Sequence, residues 1–517
     1  MKPKKRLCAT WPSKRRYLGC SGLLFARYAV WSHFLLRSLL SALCGIRSLG
    51  FAMRYALCAL LFFGLLGCQA TLSKFLPPLE EEGEVYLYAE PFPQEAERLR
   101  FNVEAIFAVS ADGREFPLTV SLQELKPSDM RRQRLLAHGR LPPGSYDGFS
   151  FKVNKAFLKT EEGEANLLVP ETPVRNDFPF RVSRKRAYVV SLTFKYAPSI
   201  LSGFSFSPVF FMIIPARPIP SLTGYVSNLG SSNITVFDKK SQRVRAAIAT
   251  GRGPAGMALD QRQGRVYVAL SGDDAIELID VLSGEVINRL RIHTGDQPRE
   301  LALTPDGKTL LVANQGTNTV SFVDASSLVE LGRVDVGREP HSISIHPNGI
   351  RAFVFNTFSN TVSVLDIPNK AVITTITTDP APVRGQFNRR GDRLYIIHEW
   401  SAYLTALDPF SLAVLRRFPV RIGMTSIKVD PQTDLVYMGR GRDTTVEVYD
   451  PFSFVVVDSI ITGAGITYMT IDGDENNLYM VNPEMKSVMV SGLVRKKVIA
   501  EMDVGESPYW VSMMGER

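Results

Sequence analysis

From residue 222 onward the chain repeats itself, and the repeat constrains the fold more than anything else in the sequence. The segment Tyr225-Val-Ser-Asn returns around Tyr267, Leu311, Phe353, Tyr395, Tyr437 and Tyr479, at steps of 42, 44, 42, 42, 42 and 42 residues. An aspartate keeps the same steps at Asp238, Asp280, Asp324, Asp366, Asp408 and Asp450, and gives way only to Gly492 in the last unit. A third ladder, mostly proline, runs Pro254, Pro298, Pro340, Pro382, Met424, Ile466, Pro508. Three ladders with one period describe one supersecondary unit used seven times, each copy burying its faces against its neighbours.

Within a unit the apolar residues alternate with a period of two, so the unit is built of strands. One alternating run follows the proline position (Ile343, Ile345) and ends at a turn such as Pro347-Asn-Gly. The Tyr-Val strand comes next, then a third strand (Val362, Val364) closed by the ladder aspartate, whose carboxylate suits the backbone N–H groups of a turn. A fourth strand completes about 40 to 45 residues, the period of a propeller blade. The first unit begins at its Tyr-Val strand and lacks an innermost strand, while Tyr509-Trp-Val-Ser-Met is one strand too many at the end. Joining the two gives seven four-stranded blades closed by a C-terminal clasp, with no open edge at the junction.

These repeats resemble the YVTN family of bacterial β-propellers over residues 222 to 514. Pro340-His-Ser-Ile-Ser-Ile-His-Pro-Asn-Gly-Ile-Arg-Ala-Phe-Val-Phe-Asn, followed by Asn360-Thr-Val-Ser-Val-Leu-Asp, carries the family pattern almost unbroken. Units five to seven depart from it, with His398 and Arg440 in place of the asparagine and Gly492 in place of the aspartate. The resemblance implies a fold and leaves the activity open, because propellers host many functions.

The rest of the chain reads in blocks. Residues 1 to 67 hold eleven of the 60 basic side chains and none of the 51 acidic ones, so the remainder is two charges negative and gives no reason to expect nucleic acid as a partner. All five cysteines lie within the first 68 residues, which leaves no disulfide, thiolate metal site or cysteine nucleophile further on. From Met53 the chain reads MRYALCALLFFGLLGCQA, one positive charge and a short apolar run, the layout of a secretory signal peptide. Leu65-Leu66-Gly67-Cys68 resembles the lipobox of bacterial lipoproteins, which implies a lipid on Cys68, export, and attachment to a membrane. Gln69 resembles the outer-membrane sorting preference. Residues 1–52 are expected to be an upstream extension, 53–67 the signal peptide and 68–79 a tether.

Residues 80–213 form a second block of short strand-like runs, Glu84 to Tyr88, Val103 to Val109, Phe149 to Val153, Tyr188 to Phe194 and Pro208 to Ile213, separated by turns. They read as a β-sandwich, with short helices possible at Glu95 to Arg100 and Leu122 to Arg134. The stretch Leu141-Pro-Pro-Gly-Ser-Tyr-Asp resembles a domain of unknown function found behind lipoprotein signals. Residues 214–221 are proline-rich and read as a stiff linker to the propeller at 222–517. The whole is an all-β chain.

The chemistry is sparse. The histidines past Cys68 (His138, His293, His341, His346, His398) make no HExxH or His-x-His pair, and phosphate, dinucleotide and nucleophile-elbow motifs are absent, so no metal or cofactor is expected. Asp472-Gly-Asp474 falls where other units have their first hairpin turn and reads as a turn rather than a calcium loop. Comparing equivalent positions across units singles out units five and six. His398 and Arg440 stand where units one, three, four and seven have Asn228, Asn314, Asn356 and Asn482, Glu399, Trp400 and Arg442 follow them, and His341 and Arg384 lie at the start of neighbouring innermost strands. The expectation is a ligand face at one channel mouth, with an aromatic among Arg and His suited to an anionic ligand or glycan. The function expected is a binding scaffold of the cell envelope, engaging such a ligand or an envelope protein. The alternative is a lactonase-like enzyme with its site at the same mouth.

Overall fold

The computed structural model describes residues 75–161 and 163–516, all within one compact unit. The expected signal peptide and Cys68 lie outside the described residues. Among those described, no helix is long and apolar enough to cross a membrane.

The C-terminal part is a seven-bladed propeller. Blade one consists of β13 (Thr223–Asn228), β14 (Asn233–Asp238) and β15 (Arg243–Ala249), joined by β40 (Pro508–Met513). Blades two to seven are β16 to β19 (254–291), β20 to β23 (298–335), β24 to β27 (340–377), β28 to β31 (382–419), β32 to β35 (424–461) and β36 to β39 (468–503). The first strand of each blade touches the first strands of its neighbours, and β40 touches both β16 and β36, so seven strands ring a central channel.

The ladders have local causes. The ladder proline, or Met424 in its place, opens the innermost strand in blades two to six and in the clasp, and the residue before it takes a left-handed backbone (φ 46° to 89°) that turns the chain into the channel. The ladder aspartate caps the third strand: Asp366 accepts from the Asn369 N–H at 2.9 Å and Asp324 from the Ser327 N–H at 2.8 Å. These hydrogen bonds hold the carboxyls down, that of Asp324 at about 2. Lys496 keeps the same turn in blade seven through its N–H to the Gly492 carbonyl, without an aspartate.

The junction is closed as the strand count requires. β40 lies antiparallel to β13, with Val226 opposite Val511 and Gly224 opposite Met513, and Val511 and Met513 are fully buried. Lys239, also fully buried, joins the two sides by ion pairs to Asp472 (3.0 Å) and Asp474 (3.2 Å) and a hydrogen bond to the Met514 carbonyl. The Asp472-Gly-Asp474 turn is thus tied to a lysine.

Ahead of the propeller stands one curled sheet. Its main path runs β12 (Phe210–Ile213), β9 (Ala187–Phe194), β1 (Gly83–Ala89), β5 (Arg134–Leu141), β3 (Glu115–Val120), β2 (Leu99–Ser110), β6 (Gly144–Lys159), β7 (Glu164–Leu167), with β4 (Glu124–Leu125) on β2 and β8 (Val174–Val182) on β6. β3 pairs with both halves, so the two faces expected of a sandwich are one continuous sheet folded over a single core that includes Leu87, Phe101, Phe149, Phe151 and Leu192. The two helices expected here are not formed. Gln94–Ala96 is a single 3-10 turn before Leu99 enters β2, and 122–134 holds the short β4, turns, and the start of β5. Backbone pairing on an alternating apolar face outweighs the helical propensity of these segments.

The curled sheet docks on the rim of blade one. Tyr86, Tyr88 and Val189 pack on Val244 and Ala247 of β15. Around this patch Gln133 accepts from the Val244 N–H at 2.8 Å, Arg243 pairs with Glu90 at 2.9 Å, and Asp503 at the end of β39 (Lys497–Asp503) takes Arg132 and Arg134. Blade one is therefore the blade whose outer strand is covered.

Candidate functional site

Two residues after the proline ladder, the innermost strands carry Gly256, Glu300, Ser342, Arg384, Ser426, Tyr468 and Trp510. Four of these seven are charged or aromatic, and they meet in the channel. Arg384 on β28 (Pro382–Phe387) reaches past blade four to Glu300 on β20 (Pro298–Leu303), with Nη2 at 2.5 Å from Oε1 and Nη1 at 3.1 Å from Oε2. Its guanidinium also lies over the rings of Tyr468 (4.9 Å) and Trp510 (5.2 Å), which stack on each other at 3.7 Å. Blades one, three, five and seven are thereby bridged across the channel at one level.

This pair is taken out of water. Burial pushes the Glu300 carboxyl up, against the pull of Arg384, which holds it by a two-point contact. Tyr509 donates to Glu300 at 3.2 Å and accepts from Arg299 Nε at 2.9 Å, while Arg299 stacks on the Tyr509 ring at 4.6 Å. Arg299 has no carboxylate within ion-pair distance among the described residues, so the mouth carries one cation more than its anions. His341, on β24 (Pro340–Ile345) between Glu300 and Arg384, has its Nδ1 3.9 Å from Glu300. Burial, with Arg299 and Arg384 nearby, holds its pKa well down, so the ring is neutral at pH 7. His341 Nδ1 and Arg384 Nε are buried without hydrogen-bond partners.

The structure thus brings His341 and Arg384 together, through Glu300. The other expected residues lie at the hairpin tips of blades five and six. In blade four, Asn356 Nδ2 ties the hairpin by donating to Thr361 and Ser363 (3.1 and 3.0 Å), and β25 (Arg351–Asn356) pairs with β26 (Thr361–Asp366) to its last residue. In blade five, β29 (Leu394–His398) and β30 (Tyr403–Leu407) pair only at Leu394, Tyr395 and Ile396. His398 is buried, its Nδ1 3.2 Å from the Tyr403 carbonyl and its Nε2 unpartnered, and burial lowers its pKa. In blade six Arg440 is buried against Asp443 and Glu447. Glu399, Trp400 and Arg442 are exposed, Trp400 at 60%.

Glu300, Arg299, Tyr468, Tyr509 and Trp510 escape a reading that compares only the asparagine position. The same period exposes them when the positions one and two past the proline ladder are compared. Among the described residues no three His, Cys, Asp or Glu side chains group as metal ligands.

The family described as YNCE-like beta-propeller matches residues 221–430, from the start of blade one through the first strand of blade six. A functionally unknown protein from Desulfotomaculum acetoxidans is similar at 15% identity with a TM-score of 0.51, covering 57% of this chain and 99% of that one. Kuenenia stuttgartiensis hydrazine synthase is similar at 18% identity and a TM-score of 0.47, over 53% of this chain and 93% of that one. Dihydro-heme d1 dehydrogenase NirN, in complex with DHE, is similar at 14% identity and a TM-score of 0.47, over 58% and 78%. At 15% identity, the likeness to the Desulfotomaculum acetoxidans protein speaks for the fold alone. No curated protein matches the chain.

Proposed function

We propose that this is a lipid-anchored protein of the bacterial cell envelope, bound to the outer membrane through Cys68, whose propeller holds a small anionic or sugar-like ligand at the channel mouth and does not catalyse its conversion. The observation that carries the reading is Arg299: stacked on Tyr509 and with no carboxylate within ion-pair distance among the described residues, it stands beside an Arg384–Glu300 pair in which each group already has its partner. The pair bridges the channel, and the ligand rests on the mouth beside it. His341 Nδ1 lies within the same group as a free acceptor or donor. Aromatic rings with a spare guanidinium suit stacking and charge-assisted hydrogen bonds to a carboxylated or phosphorylated sugar.

A panel of carboxylated and phosphorylated monosaccharides, followed by the melting temperature of the protein, tests the site. Stabilisation by a member of the panel, lost in Arg299→Gln and in His341→Ala, is expected. Stabilisation that survives both substitutions removes the mouth as the site. Lactone turnover that depends on an added divalent ion would replace binding by catalysis. For the anchor, the mass of the N-terminal peptide from the membrane fraction should show an acylated Cys68, and a Cys68→Ala variant that still partitions with membranes would remove it.

A further inference from the structure

Between the curled sheet and blades one and two lies a crevice of about 1360 Å³, separate from the channel. One wall is the turn between β8 and β9 with the segment Pro77 to Glu80, and the other is formed by β15 and β19 (Glu285–Arg291). Eight basic side chains line it against four carboxylates. The carboxylates are largely spent inside the crevice: Asp273 holds Arg252 (2.6 Å) and Arg289 (2.7 Å), and Glu285 holds Arg186 (2.7 Å). Among the described residues, Lys185, Arg217, Arg245 and Arg291 have no carboxylate within ion-pair distance. Arg217 is set in place without one. It reaches from the linker to donate to the Ser283 carbonyl, and its guanidinium lies where a side chain at Gly284 would begin.

We infer that this crevice is a docking surface for a membrane that exposes phosphate headgroups. Four uncompensated cations on both walls favour anions, and the volume exceeds what a single small ion fills. The lip of the crevice is the segment Pro77 to Glu80. Eight residues lie between Cys68 and Pro77, nine steps that span at most about 32 Å when fully extended. An acyl chain on Cys68 therefore keeps this side of the molecule close to the bilayer. The orientation rests on the anchor proposed above; the attraction to phosphate does not.

The test uses protein from residue 75 onward, which holds every core described above and neither the basic leader nor Cys68. Cosedimentation is measured with phosphatidylcholine vesicles and with vesicles containing about one third phosphatidylglycerol. Binding to the anionic vesicles only, weakening as salt rises, is expected. Replacing three cations in Arg217→Gln, Arg245→Gln, Arg291→Gln should lower that binding about tenfold or more with the melting temperature unchanged. Equal binding of the triple variant and the parent overturns the proposal, as does failure of the parent to bind. Complete displacement of the vesicles by millimolar inorganic phosphate would assign the cations to a soluble phosphate and also overturn it. Because no lipid is attached in this assay, a missing anchor and a missing headgroup surface give different results.

Discussion

Two of the propeller's departures from its own repeat, the junction in blade one and the hairpin tips of blades five and six, differ in kind. At the junction the irregularity adds contacts. A strand from the far end of the sequence completes the blade, Lys239 ties it to blade seven, and the curled sheet covers β15, which is largely buried where β19 is largely exposed. At the hairpin tips the irregularity removes contacts. Ladder pairs are lost, and His398 Nε2 is buried without a partner. An irregularity that gains packing is explained by folding; one that gives up pairing has to be explained by something else.

The largest effect comes from breaking the junction. Deleting residues 508–517 removes Val511 and Met513, each worth roughly 1.5–3 kcal/mol when fully buried, and leaves an edge of β13 unpaired. A melting temperature lower by on the order of 10 °C, or aggregation, is expected. Unchanged melting would mean that the junction holds without its clasp and that the contrast drawn above is wrong.

Blade two sharpens the comparison from the other side. There Leu270 stands at the asparagine position and Glu277 seven residues on, where blades three and four have serine. Glu277 is buried, with the Gly251 N–H at 3.2 Å and Arg289 at 3.5 Å, and burial pushes its carboxyl up to about 7. The folded pKa lies above the unfolded value of 4.5. The carboxyl therefore contributes its full stability below about 4.5 and loses it as the pH rises through about 7. Glu277→Gln should be the more stable protein above pH 7, by roughly 1–3 kcal/mol, and should lose that advantage near pH 4.5. Chemical denaturation across this range checks the sign, and a constant difference would contradict it.

The smallest effect is expected at the tips themselves. His398→Asn offers the hairpin the donor that Asn356 uses in blade four, with Thr405 in the place of Ser363, and should change stability by no more than about 1 kcal/mol near pH 7.5. The folded His398 is held below its ordinary pKa, so wild type loses stability as the pH falls below about 6.5, and the asparagine variant should pull ahead near pH 5. Melts at the two pH values measure this. A large loss in the variant at neutral pH would show that the histidine is part of the packing.

Blade number, strand order and the clasp were legible because a period allows each position to be checked seven times within one chain. Asp366 and Asp324 bond their turns as the spacing implies. The curled sheet has no such internal control. Segments of β1, β2, β6, β9 and β12 were visible, but β3, β4, β5, β7 and β8 were not, and the continuity through β3 depends on pairing between distant segments that no local pattern states. At the site, Arg384 and His341 were legible as departures. Their partner Glu300 was not, because an ion pair across a channel joins residues two blades apart, and only the closed ring makes them neighbours.

The pairing of Gly224 with Met513 also bears on how the molecule is made. Its first complete blade in chain order is the second, and the blade that begins the ring is finished last, by a strand that leaves the ribosome after every other strand of the ring. Until then β13 offers a free edge, and the six finished blades form an open arc. Contacts of such long sequence range fold slowly. The curled sheet, complete by residue 213, can cover β15 long before the clasp arrives, shielding one edge of the waiting blade while the arc closes.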